Sequence, residues 1–237
     1  MCGRYFLADS DNSGELRGII DQLNRRGATV KTGEIFPTDT VPVLANNRNR
    51  RVVPFPMQWG YTLPDGRLLI NARSETAGEK ALFQDAMRQH RCLIPATNYF
   101  EWEKRGREKI KYAIRQADAG LLYMAGLYRV ENGRAVFTIL TREPAEQIRF
   151  IHDRMPVILT SNAKQDWLNL DCDTAQTLAQ ACENVVFCAV DVSCRALPHN
   201  DADSGQAAGG GFMLAAMEEV VLSEETIPMM PLVKAGK

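Results

Sequence analysis

Hydrophobic positions change period several times along the chain, and each change marks an element. Between Ser13 and Gly27, Leu16, Ile19, Ile20 and Leu23 recur at helical spacing among polar residues. This predicts an amphipathic helix capped by Ser13 and ended by Gly27. From Ile35 to Asn71 that period is lost. Pro37, Pro42, Pro54 and Pro56 forbid helix there, while β-branched residues favour short strands and bends. Helical spacing returns in TAGEKALFQDAMRQH, with Leu82, Phe83, Ala86 and Met87 apolar and Thr76 and Glu79 at capping-box separation. RCLIP, NYFEWE, KIKYAIR, LLYMAGLYRV and RAVFTILTRE then read as strands, joined in part by ADAG and by ENG with its Asn132-Gly133 hairpin signal. PAEQIRFI, SNAKQDWLNL and DTAQTLAQACEN read as helices, and VVFCAVDV as a last core strand.

Many strands with helices interposed, and no regular strand–helix alternation, predict an α+β fold. A single domain is expected over residues 1–200, with a curved, mostly antiparallel, barrel-like sheet flanked by helices. SGQAAGGG, at 204–211, is a flexible joint. Residues 201–237 form an acidic tail with enough apolar content to pack back on the domain.

Composition narrows the class. With 45% hydrophobic and 24% charged residues, the chain is an ordinary globular protein, and no run approaches the roughly 20 apolar residues of a membrane span. The N-terminus lacks the basic-then-apolar layout of a secretion signal, so a cytoplasmic location with reduced cysteines is expected. None of the six cysteines forms a C-x-x-C pair, which argues against zinc, and no metal is expected. The net charge of −1 hides an asymmetry: residues 201–237 hold six acids against two lysines. The remaining 200 residues are mildly basic, which permits a local basic face. EKRGREKIKYAIR is one candidate, although such a run taken alone is more often a solvated hairpin.

Four stretches carry candidate chemistry. MCGRY places a cysteine at position 2. If the initiator methionine is trimmed, Cys2 carries an α-amine beside a thiol, a pair that closes a thiazolidine on an aldehyde. A permissive position in a loose terminus is the alternative. LLINARSET sets Asn71, Arg73 and Glu75 where a strand gives way to a helix, an edge suited to anions; Asn71 and Ser74 also fit plain turn and capping duties. NYFEWEK puts Glu101 between Phe100 and Trp102. On a strand it faces opposite to both, either as a partly buried acid/base or as a surface glutamate. RFIHDRMPVIL sets His152 in a turn, for proton transfer or for a structural hydrogen bond.

Taken together, MCGR, NARSET, RCLIPATNYFEW, MAGLY, TILT and IHDRMPVIL, in this order, closely resemble the SOS response-associated peptidase family, the abasic-site-processing proteins. The resemblance spans about residues 1–195. It implies shielding of abasic sites in single-stranded DNA by a covalent link from the terminal cysteine to the ring-opened sugar aldehyde. It also implies a barrel-like α+β fold with a positive DNA groove, a nucleoid-associated bacterial protein, a monomer and no cofactor. By that resemblance Cys2 matches the crosslinking residue, Asn71 a residue that holds the N-terminus, Glu101 the catalytic glutamate and His152 the motif histidine. Arg4 and Arg73 match phosphate-binding arginines, and Trp59 and Trp102 fall at aromatic positions near the DNA path. The chain departs from the family at IFPTDTVPV and at VSCRALPHND. Two other classes fit some of these residues. One is a thiol peptidase using Cys2, His152 and Glu101 as nucleophile, base and orienting carboxylate; the other is a non-covalent single-strand binder. Self-removal of residues ahead of Cys2 is compatible with the crosslinking and peptidase readings.

Overall fold

The computed structural model describes residues 2–8, 14–117, 120–180 and 186–193. Strand β1 (Tyr5–Leu7) leads through helix α1 (Glu15–Asn24) to β2 (Gly33–Ile35), β3 (Thr40–Asn46) and β4 (Val52–Trp59). A small hairpin, β5 (Tyr61–Thr62) and β6 (Leu68–Leu69), precedes β7 (Asn71–Arg73), α2 (Ser74–Ala77) and α3 (Ala81–Gln89). Next come β8 (Arg91–Ala96), β9 (Asn98–Arg105), β10 (Glu108–Gln116), β11 (Leu122–Glu131) and β12 (Arg134–Arg142). Short β13 (Met155–Pro156), α4 (Ala163–Asn169), α5 (Cys172–Gln180) and β14 (Phe187–Asp191) complete the described elements.

β11, β8, β3, β4 and β12 pair in that order, and β12 returns to β11, so these five strands close into a ring. Every pair is antiparallel except β4 with β12. Closure removes the free edges that would otherwise template association. β7 joins β12 in parallel, and β13 joins it antiparallel. A second antiparallel sheet runs β14-β10-β9-β1-β2. The protein is thus an α+β domain on a mostly antiparallel barrel.

Period-2 alternation explains how two cores share these strands. Cys92, Ile94, Ala96, Leu122, Met124, Phe137 and Ile139 face one core, together with Tyr5, Trp59 and Tyr99. Their neighbours Leu93, Tyr123, Ala125, Leu127, Val136 and Leu140 face a second, which α3, α4 and α5 cover with Phe83, Met87, Trp167 and Ala175. Because both faces of β8 are covered, all six of its residues are buried.

Arg91 heads that strand and fastens two helices to it. Its Nε donates to the Trp167 carbonyl at 2.6 Å, while its terminal nitrogens donate to the carbonyls of Met87 and Leu170. Those carbonyls end α3 and α4, where unsatisfied C=O groups and the helix dipoles favour a cation. Trp167 Nε1 completes the joint by donating to the Cys92 carbonyl at 2.9 Å.

Several sequence expectations need correction. TAGEKALFQDAMRQH is two helices, and Thr76 lies inside the first, so it makes no capping box with Glu79. The Thr76 carbonyl takes both the Glu79 and Lys80 N–H groups at 3.2 Å and ends the first helix. Gly78 follows that helix with the Gln176 side chain of α5 against it: an added Cβ would lie 2.0 Å from Gln176 Oε1. PAEQIRFI forms only a 3-10 turn at Glu146–Ile148 before entering a loop. In α1 the N-cap position is Gly14, with φ of 71°, and no side chain caps it. The Asn132-Gly133 hairpin forms as expected, with φ of 49° and 78°. Ser13, the centre of ADAG, the end of DTAQTLAQACEN, VSCRALPHND beyond Ser193, Cys182, Cys194 and the 201–237 tail lie outside the described residues.

Candidate functional site

Cys2 is buried against the barrel core beside Tyr5, Trp59 and Tyr99. Its position is held by Asn71, whose Nδ2 donates to the Cys2 carbonyl at 2.8 Å. Asn71 can do this because β7 lies parallel beside β12, with Asn71 opposite Ile139, and its side chain is 8% exposed. The Cys2 thiol points toward the Arg4 carbonyl, 3.8 Å away. Burial, and then the negative charge of Glu101, push that thiol far above its ordinary range, so the resting group is S–H.

Glu101 lies on β9 opposite Tyr112 and is 3% exposed, whereas its neighbour Trp102 is half-buried. Strand alternation turns the carboxylate inward and Trp102 outward. Burial raises the Glu101 carboxyl, and the positive field of His152 opposes this. A carboxyl held up in this way keeps its proton more readily than an exposed glutamate, as a group that gives and takes protons requires. Glu101 lies near enough to Cys2 for its charge to act on the thiol, and near enough to His152 to feel that side chain.

His152 sits in the loop before β13. Its Nδ1 lies 3.1 Å from the Arg154 N–H and 2.6 Å from Asp153 Oδ1. The first contact uses the Nδ1 lone pair and the second an Nδ1–H, so one nitrogen serves one partner at a time. The loop is anchored by Arg154, which grips Glu75 through two bonds of 2.7 and 2.9 Å and donates to the Thr141 carbonyl at 2.6 Å. Hydrogen bonding from Arg154 holds the Glu75 carboxyl below its usual range, against partial burial. Glu75 is therefore a structural partner of the loop. The sequence reading missed Arg154; an arginine between His152 and the buried Met155 was the available signal.

Beside His152 an open groove of about 680 Å³ is lined by Arg73, Trp102, Lys104, Arg149, Phe150 and Arg154, among others. Arg149 pairs with Glu146 and Arg154 with Glu75, while Arg73 and Lys104 have no ion-pair partner among the described residues. Phe150 is 52% exposed. Unpaired cations beside exposed aromatic faces suit a single-stranded polyanion with stackable bases. EKRGREKIKYAIR forms the β9–β10 hairpin, and of its cations Lys104 reaches this groove.

Arg4 is outside the groove lining, on the outer face of the second sheet. Its guanidinium lies 4.3 Å from the Phe36 ring centre and 5.3 Å from that of Trp102. The expected role of Trp59 does not survive. Its ring is fully buried, stacked on Phe137 at 6.3 Å, with Nε1 donating to the Ile70 carbonyl at 3.0 Å. With no exposed face it cannot stack on a base; it instead supports the chain just before Asn71. No group of three metal-ligating side chains occurs among the described residues, and no helix among them is long and apolar enough to cross a membrane.

A family model described as SOS response associated peptidase (SRAP) matches residues 1–195. The chain is 34% identical over 196 residues to the abasic site processing protein YoqW of Bacillus subtilis, covering 76% of this chain and 87% of that protein. It is 29% identical over 178 residues to the abasic site processing protein YedK of Escherichia coli, covering 71% and 79% respectively. A solved structure from Bacteroides thetaiotaomicron matches with a TM-score of 0.62 at 22% identity, covering 81% of this chain and 93% of that one. One from Bordetella bronchiseptica matches with the same score and identity, covering 81% and 100%. Likeness at this identity speaks for the fold alone.

Proposed function

Since the chain belongs to the SOS response-associated peptidase family, we propose that it processes abasic sites in single-stranded DNA by capturing them covalently on Cys2. The observation that carries this reading is the Asn71–Cys2 hydrogen bond, which fixes the start of the chain beside the buried Glu101. With Met1 removed, the α-amine of Cys2 attacks the aldehyde of the ring-opened sugar and gives a carbinolamine. Loss of water leaves an iminium. The Cys2 sulfur then bonds to the same carbon, the S–H proton passes to a base, and a thiazolidine results. Glu101 is the group suited to move these protons, and His152 to assist at the sugar hydroxyl as the ring opens. Holding the aldehyde beside the amine supplies much of the acceleration. Arg73, Lys104 and Trp102 line the path of the strand. Neither metal nor cofactor enters these steps.

A thiol peptidase would need a ready thiolate, and the burial of Cys2 weighs against one. Self-removal of residues ahead of Cys2 remains compatible with the proposed chemistry.

Replacing the thiol separates the two bond-forming steps. Cys2→Ala, processed to begin at residue 2, keeps an amine and loses the ring-closing sulfur. Its adduct with abasic single-stranded DNA is expected only after borohydride reduction, whereas the native adduct survives heat and denaturant without it. A Cys2→Ala adduct of native heat stability without reductant would overturn the thiazolidine.

A further inference from the structure

The outer face of the second sheet carries an ion cluster that the proposed chemistry does not use. Glu34 on β2 receives Lys111 Nζ from β10 at 2.8 Å and Arg4 Nη1 at 3.3 Å, both on its Oε1. The strand order places β1 and β9 between β2 and β10, so this one carboxylate draws together a cation at the start of the neighbouring strand and one from three strands away. Aromatic rings frame it. Arg4 lies over Phe36 and Trp102, and Lys111 lies 3.9 Å from the Phe100 ring centre and 5.8 Å from that of Trp102. The three charged side chains are between 23% and 35% exposed, so solvent and ligands reach them. Partial burial would raise the Glu34 carboxyl, but the hydrogen bond and charge of Lys111, followed by Arg4, hold it below its usual range. The carboxylate is therefore ionised throughout the neutral region.

Two cations compensated by one carboxylate, set among aromatic faces, have the chemistry that a phosphate and its neighbouring bases would meet. Arg4 ties this site to the reactive residue, since the Arg4 carbonyl faces the Cys2 thiol and also accepts the Phe100 N–H at 2.9 Å. We propose that Glu34 is a specificity-determining residue: it occupies Arg4 and Lys111 in the free protein, and a backbone phosphate of the single strand takes its place on them. The internal anion weakens the grip on undamaged strands, so retention depends more heavily on the covalent step at Cys2. The inference rests on the reading that this site takes single-stranded DNA.

Removing the charge of Glu34 should then strengthen binding. Glu34→Gln keeps the shape of the side chain and releases one net positive charge for a phosphate. On an unmodified single-stranded oligonucleotide, the log–log salt dependence should steepen by about 0.7, one further phosphate contact, giving roughly fivefold tighter binding near 0.1 M salt. Adding Lys111→Met to Glu34→Gln should return the slope to the native value. Salt-dependent binding by the native protein, with equal or weaker binding by Glu34→Gln, would overturn the exchange while leaving the DNA reading intact. No binding by either protein at low salt would overturn both.

Discussion

At the residue scale, the proposed reaction depends on burying a carboxyl where burial is unfavourable to folding. Glu101 has its folded pKa raised above the unfolded value, chiefly by desolvation. The native state therefore keeps a proton that the unfolded chain gives up. Stability falls as pH rises from the ordinary glutamate range, about 4.3, through the raised folded value. Glu101→Gln cannot ionise and escapes that loss. Its Tm should match the native protein near pH 4 and exceed it at pH 7, while its rate of adduct formation falls by about 100-fold. Thermal unfolding across that pH range, paired with single-turnover crosslinking, checks both halves, and parallel Tm profiles would contradict the assignment. Glu101 was legible because a carboxylate between two aromatics on a strand must face away from both. The burial of Trp59 was not, because PMQWGY shows an aromatic without showing which face of β4 the barrel closes over.

At the element scale, two helices are held on the barrel by a cation that no carboxylate among the described residues hydrogen-bonds. Arg91 is 7% exposed and spends its donors on the carbonyl ends of α3 and α4. Replacing it with Met removes several charge-assisted hydrogen bonds and strands those carbonyls in the core, at a cost of about 3 kcal/mol after allowing for the charge no longer buried. In a chain of this size, calorimetry should record a fall in Tm of about 10 °C. A change of under 2 °C would mean that the carbonyls find other partners. Most elements could be read locally, since α1 has helical spacing and the strands from β8 to β12 are apolar runs, several of them bounded by turn signals. The break between α2 and α3 could not, because it lies in the bonds of the Glu79 and Lys80 N–H groups to the Thr76 carbonyl, which apolar spacing does not show. In the same way RCLIP shows a buried strand, but only the folded chain shows that Arg91 satisfies two helix ends.

At the scale of the whole molecule, the barrel brings four distant segments to one place. Cys2 precedes β1, Asn71 opens β7, Glu101 is on β9 and His152 precedes β13. Pairing of β7 with β12 carries Asn71 to the Cys2 carbonyl, and pairing of β1 with β9 carries the chain start alongside the segment bearing Glu101. The spacing of the motifs pointed to this convergence through resemblance, and the ENG turn to the β11–β12 hairpin, but ring closure through the parallel β4–β12 pair was invisible to periodicity, which reports faces and not partners. The Glu34 cluster was equally hidden, since Arg4, Glu34 and Lys111 meet only across four strands of the sheet. The central claim is that amine and thiol of one residue act together, and the most direct measurement is a denaturing gel after incubation with abasic single-stranded DNA. Protein beginning at Cys2 should give a heat-stable shifted band, and protein carrying an uncleaved N-terminal extension should give none. A heat-stable adduct formed at the native rate by the extended protein would contradict the account.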